Sequence, residues 1–247
     1  MDSQFEKKYY SSSISNGWWC ISRRGIILNL IKKYASNKEN KILEIGCASG
    51  ELILELEKNG YNNIYGVDVS SGAIEQCKKK QFDVFVMDGT NISAINKKFD
   101  IIIASDVLEH IEDDSFALKE WHSCLNPGGV LIVFVPAFMF LWSDHDKYNQ
   151  HFRRYTQLEL NKKLKIASFE IIKSSYWNFS LFIPVWCIRK ILNILDKHHQ
   201  DSKQLVEPPR IISVILIIIL KIENWLLNFL TFSFGISVFS VAKVKEI

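Results

Sequence analysis

Three acids and two glycines, set at the ends of short apolar runs, mark the first chemistry this sequence could do. The run 41–45 (KILEI) ends in Gly46-Cys47-Ala48-Ser49-Gly50, and a helix-like stretch opens at Glu51. Gly46 and Gly50 remove side chains where the backbone must turn tightly and a ligand must come close. Glu44 lies inside the run that feeds this turn. The second run ends in Asp68, an acid able to accept both ribose hydroxyls of an adenosine. The third ends in Asp88, placed to accept from an adenine amino group. The turn is not G-x-G-x-x-G, because Ala48 replaces the middle glycine. No Lys-Ser/Thr pair follows, so it is no P-loop either.

The elements that must hold these residues are legible as an alternation. Apolar runs at 41–45, 64–67, 84–87, 101–104 and 130–135 are short and rich in β-branched residues, as strands buried on both faces are. Helix-like stretches at 52–59, 71–80 and 114–125 separate them. Strand, helix, strand in that rhythm predicts a parallel α/β sheet with right-handed crossovers. Residues 1–40 read as a helical cap, 41–177 as the core, 178–231 as a helical insertion and 232–247 as a last strand.

Composition narrows the class. Thirty Lys+Arg against 27 Asp+Glu leave a net charge of +3, which excludes a strongly polyanion-seeking protein. The five cysteines are widely spaced with no C-x-x-C pair, so a reducing, cytoplasmic setting is expected and a disulfide framework is not. The opening MDSQFEKKYY is too polar for a secretory signal.

The stretch 211–230 (IISVILIIILKIENWLLNFL) is the most apolar of the chain. A bilayer span wants roughly 20 apolar residues, and this run reaches that length only by taking in Lys221, Glu223 and Asn224. It is read as a buried or homodimer-interface helix, as a helix lying on a membrane surface, or as a span.

Taken together, the E-x-G-x-x-x-G turn, the two acid-ended strands, D-V-L-E-H at 106–110 and L-N-P-G-G at 125–129 resemble class I S-adenosylmethionine-dependent methyltransferases, over about residues 15–176. The resemblance implies a Rossmann-like sheet of six parallel strands and one antiparallel strand, the latter matching 235–244. It implies S-adenosylmethionine as cofactor, with Glu44, Gly46 and Gly50 along its methionine and ribose part, Asp68 on the ribose, Asp88 on the adenine and Ser105 beside the methionine. Ala48 departs from the family glycine, and its methyl group is tolerable there if φ is negative.

Asn16-Gly17-Trp18-Trp19 with Arg23-Arg24 is similar to the H-W-W-F…R-R segment of a bacterial and archaeal subgroup, with Gly17 in place of its His. The stretch V-P-A at 135–137, W-S-D-H-D at 142–146 and H-F-R-R-Y-T at 151–156 is similar to the same subgroup. Such proteins often accompany glycosyltransferases of envelope polysaccharide or lipid-linked sugar assembly. That points to a sugar hydroxyl of a small or lipid-linked precursor as acceptor, with possible peripheral placement on the inner membrane face. A quinone-like lipophilic acceptor and a non-catalytic methyltransferase-like subunit are the alternatives. No nucleic-acid acceptor is expected, since no N/D-P-P-Y/F motif follows the fourth strand.

A hydroxyl acceptor must lose a proton, and His or a carboxylate near the ligand crevice would take it. His145, between Asp144 and Asp146, is the leading candidate, with His110 and His151 behind it. Arg153, Arg154 and Tyr155 are read as a substrate grip, against a helix-end anchor. Trp18 is read as a core aromatic or as part of a lid, with Arg23 meeting the methionine carboxylate. One loop offering His145, Asp146 and His151 lacks a second ligand cluster, so no metal is expected.

Overall fold

A computed structural model describes residues 17–194 and 208–245. The expected features at 1–16 and in the polar Pro-Pro linker lie partly or wholly outside the described residues. The chain runs α1 (Trp18–Tyr34), β1 (Ile42–Ile45), α2 (Glu51–Lys58), β2 (Ile64–Asp68), α3 (Ser71–Lys79), β3 (Asp83–Val86), β4 (Phe99–Ser105), α4 (Asp114–Cys124), β5 (Leu125–Pro136), α5 (Asp144–Tyr148), α6 (Gln157–Ile166), β6 (Glu170–Trp177), α7 (Phe182–Ile194), α8 (Arg210–Leu226) and β7 (Ser237–Lys243).

The seven strands form one sheet in the order β3-β2-β1-β4-β5-β7-β6. The pairs β1·β2, β1·β4, β2·β3 and β4·β5 are parallel, and β7 runs antiparallel to both β5 and β6. This is the expected doubly wound sheet with one reversed strand. Alternation along the central strands feeds two cores. Ile101 and Ile103 of β4 join Phe134 of β5 and residues of α1, α2, α3 and α8 on one face. Ile102 and Ala104 pack with α4 and α6 on the other. Chain order reverses between β1 and β4, and the crevice outside the carboxyl ends of those strands is where such sheets take ligands.

Two strand assignments change. β3 is an edge strand, with Phe85 and Val86 exposed, so one of its faces stays wet. Phe99 faces Leu125 but Ile101 faces Val130, so 126–129 stands off β5 as the expected turn within a longer strand. The capping signal at Thr156 holds: its hydroxyl accepts from the Glu159 amide while Glu159 accepts from the Thr156 amide.

The helix α8 reverses the reading of its charges. Glu223 and Asn224, which interrupt the apolar run, point inward and are almost fully buried. Glu223 accepts from the Phe179 and Ser180 amides and the Ser180 hydroxyl. Asn224 accepts from Trp177 Nε1 at 2.8 Å and donates to the Ser22 carbonyl at 3.0 Å, tying α8 to α1 and β6. The exposed face is the apolar one, including Ile211, Ile215, Ile218, Ile222 and Trp225. No described helix is long and apolar enough to cross a membrane.

Candidate functional site

The glycine turn is fixed by backbone bonds to β2. The amides of Gly46 and Cys47 both reach the Val67 carbonyl, at 2.8 and 3.0 Å. Gly46 (φ +74°) and Gly50 (φ +83°) take left-handed conformations. A Cβ at Gly46 would stand 2.6 Å from Val107, and one at Gly50 would stand 2.8 Å from the Phe82 ring. Both glycines are therefore demanded by the chain's own packing. Asp68, buried at the end of β2, stitches the turn: its Oδ2 accepts the Ala48 amide and its Oδ1 the Ser70 amide, each at 2.9 Å.

Ala48 departs from the expected negative φ and sits at φ +46°. Its amide must face Asp68, and its carbonyl accepts from Cys77 Sγ, so the peptide groups are held despite the Cβ. A left-handed non-glycine residue costs roughly 1–2 kcal/mol. Ala48→Gly should recover about 0.5–1 kcal/mol after the added freedom of the unfolded chain, raising Tm by about 1–4 °C. A lower Tm in a thermal melt would show that the alanine is not strained.

Around the turn stand the other expected residues. Glu44 is buried with Oε2 lacking a hydrogen-bond partner, and burial pushes its carboxyl well above the usual range. Asp88 is exposed, and its Oδ1 takes the Thr90 amide and hydroxyl. Arg23 reaches from α1 to the end of β4, where it donates to Ser105 Oγ at 3.2 Å and pairs with Asp106 at 3.2 Å. It also donates to Ser237 at 2.9 Å. Its guanidinium lies over the rings of Trp177, Phe134 and Trp19 at 4.3, 4.4 and 5.5 Å. Burial lowers its affinity for its proton, and Asp106 works in the opposite sense. Trp18 packs edge-on to Trp19 at 5.7 Å and against the core.

The acceptor-side candidates separate sharply. Asp146 is fully buried and is the hub of the loop. It accepts from Arg154 Nε at 2.7 Å and Nη2 at 2.9 Å, from His151 Nδ1 at 2.9 Å and from the Ser143 amide at 2.8 Å. Burial alone would raise its pKa; the bonds from His151 and Arg154 outweigh that and hold it well below the carboxylate range. Arg154 also donates to the Ala137 carbonyl. The expected substrate grip of Arg154 is thus corrected: its fork is spent inside the protein. Arg153 pairs with Asp114 and donates to the Glu112 carbonyl. Tyr155 is buried with its hydroxyl on Asp114 and the Leu108 carbonyl. Both are tied to the buried Asp114, which Lys163 also contacts at 2.8 Å.

His145 is exposed on α5, with Nε2 2.9 Å from Asn149 Nδ2. His151 and His110 stand edge to face at 4.6 Å between ring centres, with the buried Glu109 beside them. His110 is open to solvent on one side, while crowding on the others and His151 alongside push its imidazole down to about 4. Glu109 of D-V-L-E-H is buried, and neither of its carboxylate oxygens has a hydrogen-bond partner. Beyond this cluster an apolar groove is lined by Phe140, Phe182, Ile183, Trp186 and Phe234. The segment from Ala137 to Tyr155 serves both: Phe138 stacks on Phe140 and Tyr176, and its amide bonds the Tyr155 carbonyl.

Residues 22–174 match the family model described as a methyltransferase domain. The chain belongs to the methyltransferase-domain family. A 2-phytyl-1,4-naphtoquinone methyltransferase from Nostoc punctiforme is 25% identical over 175 residues, which cover 65% of this chain and 72% of that protein. An uncharacterized methyltransferase from Oceanobacillus iheyensis is 26% identical over 107 residues, which cover 42% of this chain and half of that one. A solved S-adenosylmethionine-dependent methyltransferase from Archaeoglobus fulgidus shares the fold, with TM-score 0.57, 18% identity and coverage of 97% of this chain and 98% of that one.

Family membership makes S-adenosylmethionine the cofactor of this methyltransferase. When bound, it supplies an activated methyl group. The residues present fit it: Glu44 has a buried oxygen in need of a donor, and Asp88, exposed and bonded to Thr90 through one oxygen, can take an amino group at the other. Asp68→Ala should lose charge-assisted contacts and loosen the turn. We expect a loss of about 2–4 kcal/mol in cofactor affinity, roughly 30–1,000-fold by calorimetry. Undiminished affinity would remove Asp68 from the ribose site.

Proposed function

We propose that this methyltransferase methylates a hydroxyl of a small lipid-linked acceptor, most simply a sugar hydroxyl of an envelope glycan precursor, at the inner surface of a membrane. The observation that carries this reading is the apolar aromatic groove of Phe140, Phe182, Ile183, Trp186 and Phe234, which shares the segment 137–155 with His151 of the histidine pair. A groove of that composition suits a hydrocarbon or isoprenoid portion, and the cluster suits a hydroxyl that must lose its proton. Arg23 holds the cofactor side, braced by Asp106 and three aromatic rings. Proton removal falls to the His110 and His151 cluster, since the leading histidine of the sequence, His145, stands exposed on α5.

The quinone-like acceptor is the second reading. The name of the Nostoc relative supports it, and a flat ring would stack in the same aromatic groove. The two readings part on one experiment. Enzyme is incubated with methyl-labelled S-adenosylmethionine and either polyprenyl-linked saccharide or a hydroxylated quinone. Label in the saccharide, stable to alkali as an ether is, supports the first. Label only in the quinone overturns it in favour of the second. Cofactor binding with no transfer to either would favour a non-catalytic subunit.

The polarity of α8 supports the membrane setting: Glu223 and Asn224 face in, several isoleucines face out, and Arg210 and Lys221 are exposed with them. The protein should sediment with anionic vesicles. Ile218→Asp with Ile222→Asp should cut that binding more than tenfold, since each buried aliphatic side chain is worth about 1.5–3 kcal/mol. Failure of the unaltered protein to sediment would return α8 to a protein–protein contact.

A further inference from the structure

We propose that Glu109, His110 and His151 form a site for a divalent transition-metal ion of the Zn²⁺ or Co²⁺ type. Their candidate ligand atoms all lie within 4.8 Å of one another. Glu109 is 0% exposed, and neither of its carboxylate oxygens has a hydrogen-bond partner. A buried carboxylate with no donor is costly, and a bound cation is the simplest group that would satisfy both oxygens.

The surroundings are arranged as a metal site requires. Asp146 accepts from His151 Nδ1 at 2.9 Å, so the neutral ring carries its proton there and presents the Nε2 lone pair. A carboxylate behind a histidine in this way fixes tautomer and ring orientation. Asp146 is itself locked by Arg154, so the orienting group cannot swing away. The Phe152 amide donates to the Glu109 carbonyl at 2.8 Å, which pins the His151 loop to the turn bearing Glu109 and His110. His110 is solvent-exposed and gives an entry path. Ligand atoms about 2.1 Å from a tetrahedral ion lie roughly 3.4 Å apart, so side-chain rotation of about 1 Å closes the set.

Two imidazoles and one carboxylate favour a borderline ion over Mg²⁺ or Ca²⁺, which prefer all-oxygen ligands. Three protein ligands leave positions open. Resting on the function proposed above, an open position would take the acceptor hydroxyl and ease loss of its proton to water. The sequence offers no reason to expect a metal, because the loop of His145, Asp146 and His151 lacks a second ligand cluster; Glu109 and His110, in the turn after β4, supply it here, and Asp146 serves as the orienting group.

The test uses the untagged full chain, dialysed against chelator and titrated with Zn²⁺ and, separately, Co²⁺. We expect one ion per chain by calorimetry and the visible absorption bands of Co²⁺ in a low-symmetry nitrogen–oxygen site. His110→Ala, at an exposed position, and Glu109→Gln should each weaken binding at least 100-fold, while His122→Ala on the far side of α4 should not change it. Absence of binding to the unaltered chain, or equal binding by His110→Ala and Glu109→Gln, overturns the site. Labelled methyl transfer to the saccharide by chelated enzyme that binds no ion would overturn the metal and leave the proposed function standing. One bound ion with no transfer would do the reverse.

Discussion

His151→Ala is expected to lower turnover by about 10²–10⁴-fold while leaving affinity for S-adenosylmethionine nearly unchanged. The ring sits beside His110 and against Asp146, and on the function proposed above it would serve the acceptor and not the donor. The size of the loss is the usual one for removing a proton-handling group, and it holds equally for a ring that takes the proton or one that carries a cation. His145→Ala should retain most of the turnover, since that exposed ring stands 6.4 Å from His151, farther than the 4.6 Å between His110 and His151. The reverse ranking, with a large loss at His145 and none at His151, would restore the assignment that the sequence favours and remove the cluster from catalysis. Single-turnover kinetics with saturating cofactor separates these outcomes from any effect on donor binding.

The other large effect is on stability. Asp146→Ala would leave the Arg154 guanidinium, 3% exposed in its side chain, buried with no carboxylate on its fork. Breaking a buried pair from one side costs about 3–5 kcal/mol, against a total stability of about 5–15 kcal/mol for ordinary domains. At about 2–4 °C per kcal/mol for a chain of this size, Tm should fall by roughly 6–20 °C. Pairing the change with Arg154→Met should restore much of the loss, because no charge is then stranded. A melt of Asp146→Ala within about 2 °C of the unaltered protein would mean that Arg154 finds another partner or water. Arg153→Ala should cost less than Asp146→Ala, since that side chain is partly hydrated and Asp114 keeps Lys163 and Tyr155.

The sequence by itself determined the sheet and the glycine turn with the acids that flank it. Local chemistry suffices there. Short apolar runs bounded by turn residues form the strands, and the helices between β1 and β2, β2 and β3, and β4 and β5 go with parallel neighbours. Gly46, Gly50, Asp68 and Asp88 act where the chain leaves a strand, so spacing along one dimension places them. The same reasoning carried the Thr156–Glu159 cap, which closes within four residues. Tertiary structure decided everything that depends on which distant group stands opposite. Arg154 looked like a hand for substrate until Asp146 filled it. Glu223 and Asn224 looked like interruptions of an apolar helix until Phe179, Ser180 and Trp177 turned them inward and left the isoleucines outside. Ala48 was assumed to keep negative φ, but bonds to Asp68 and Cys77 on other elements outweigh the roughly 1–2 kcal/mol that its Cβ resists. Glu109 and His151 are far apart in the chain, and only the folded loop beyond β5 brings them together. Periodicity reports which face of an element is apolar. It does not report the partner of a buried charge, because that partner is chosen by packing between elements and not along them.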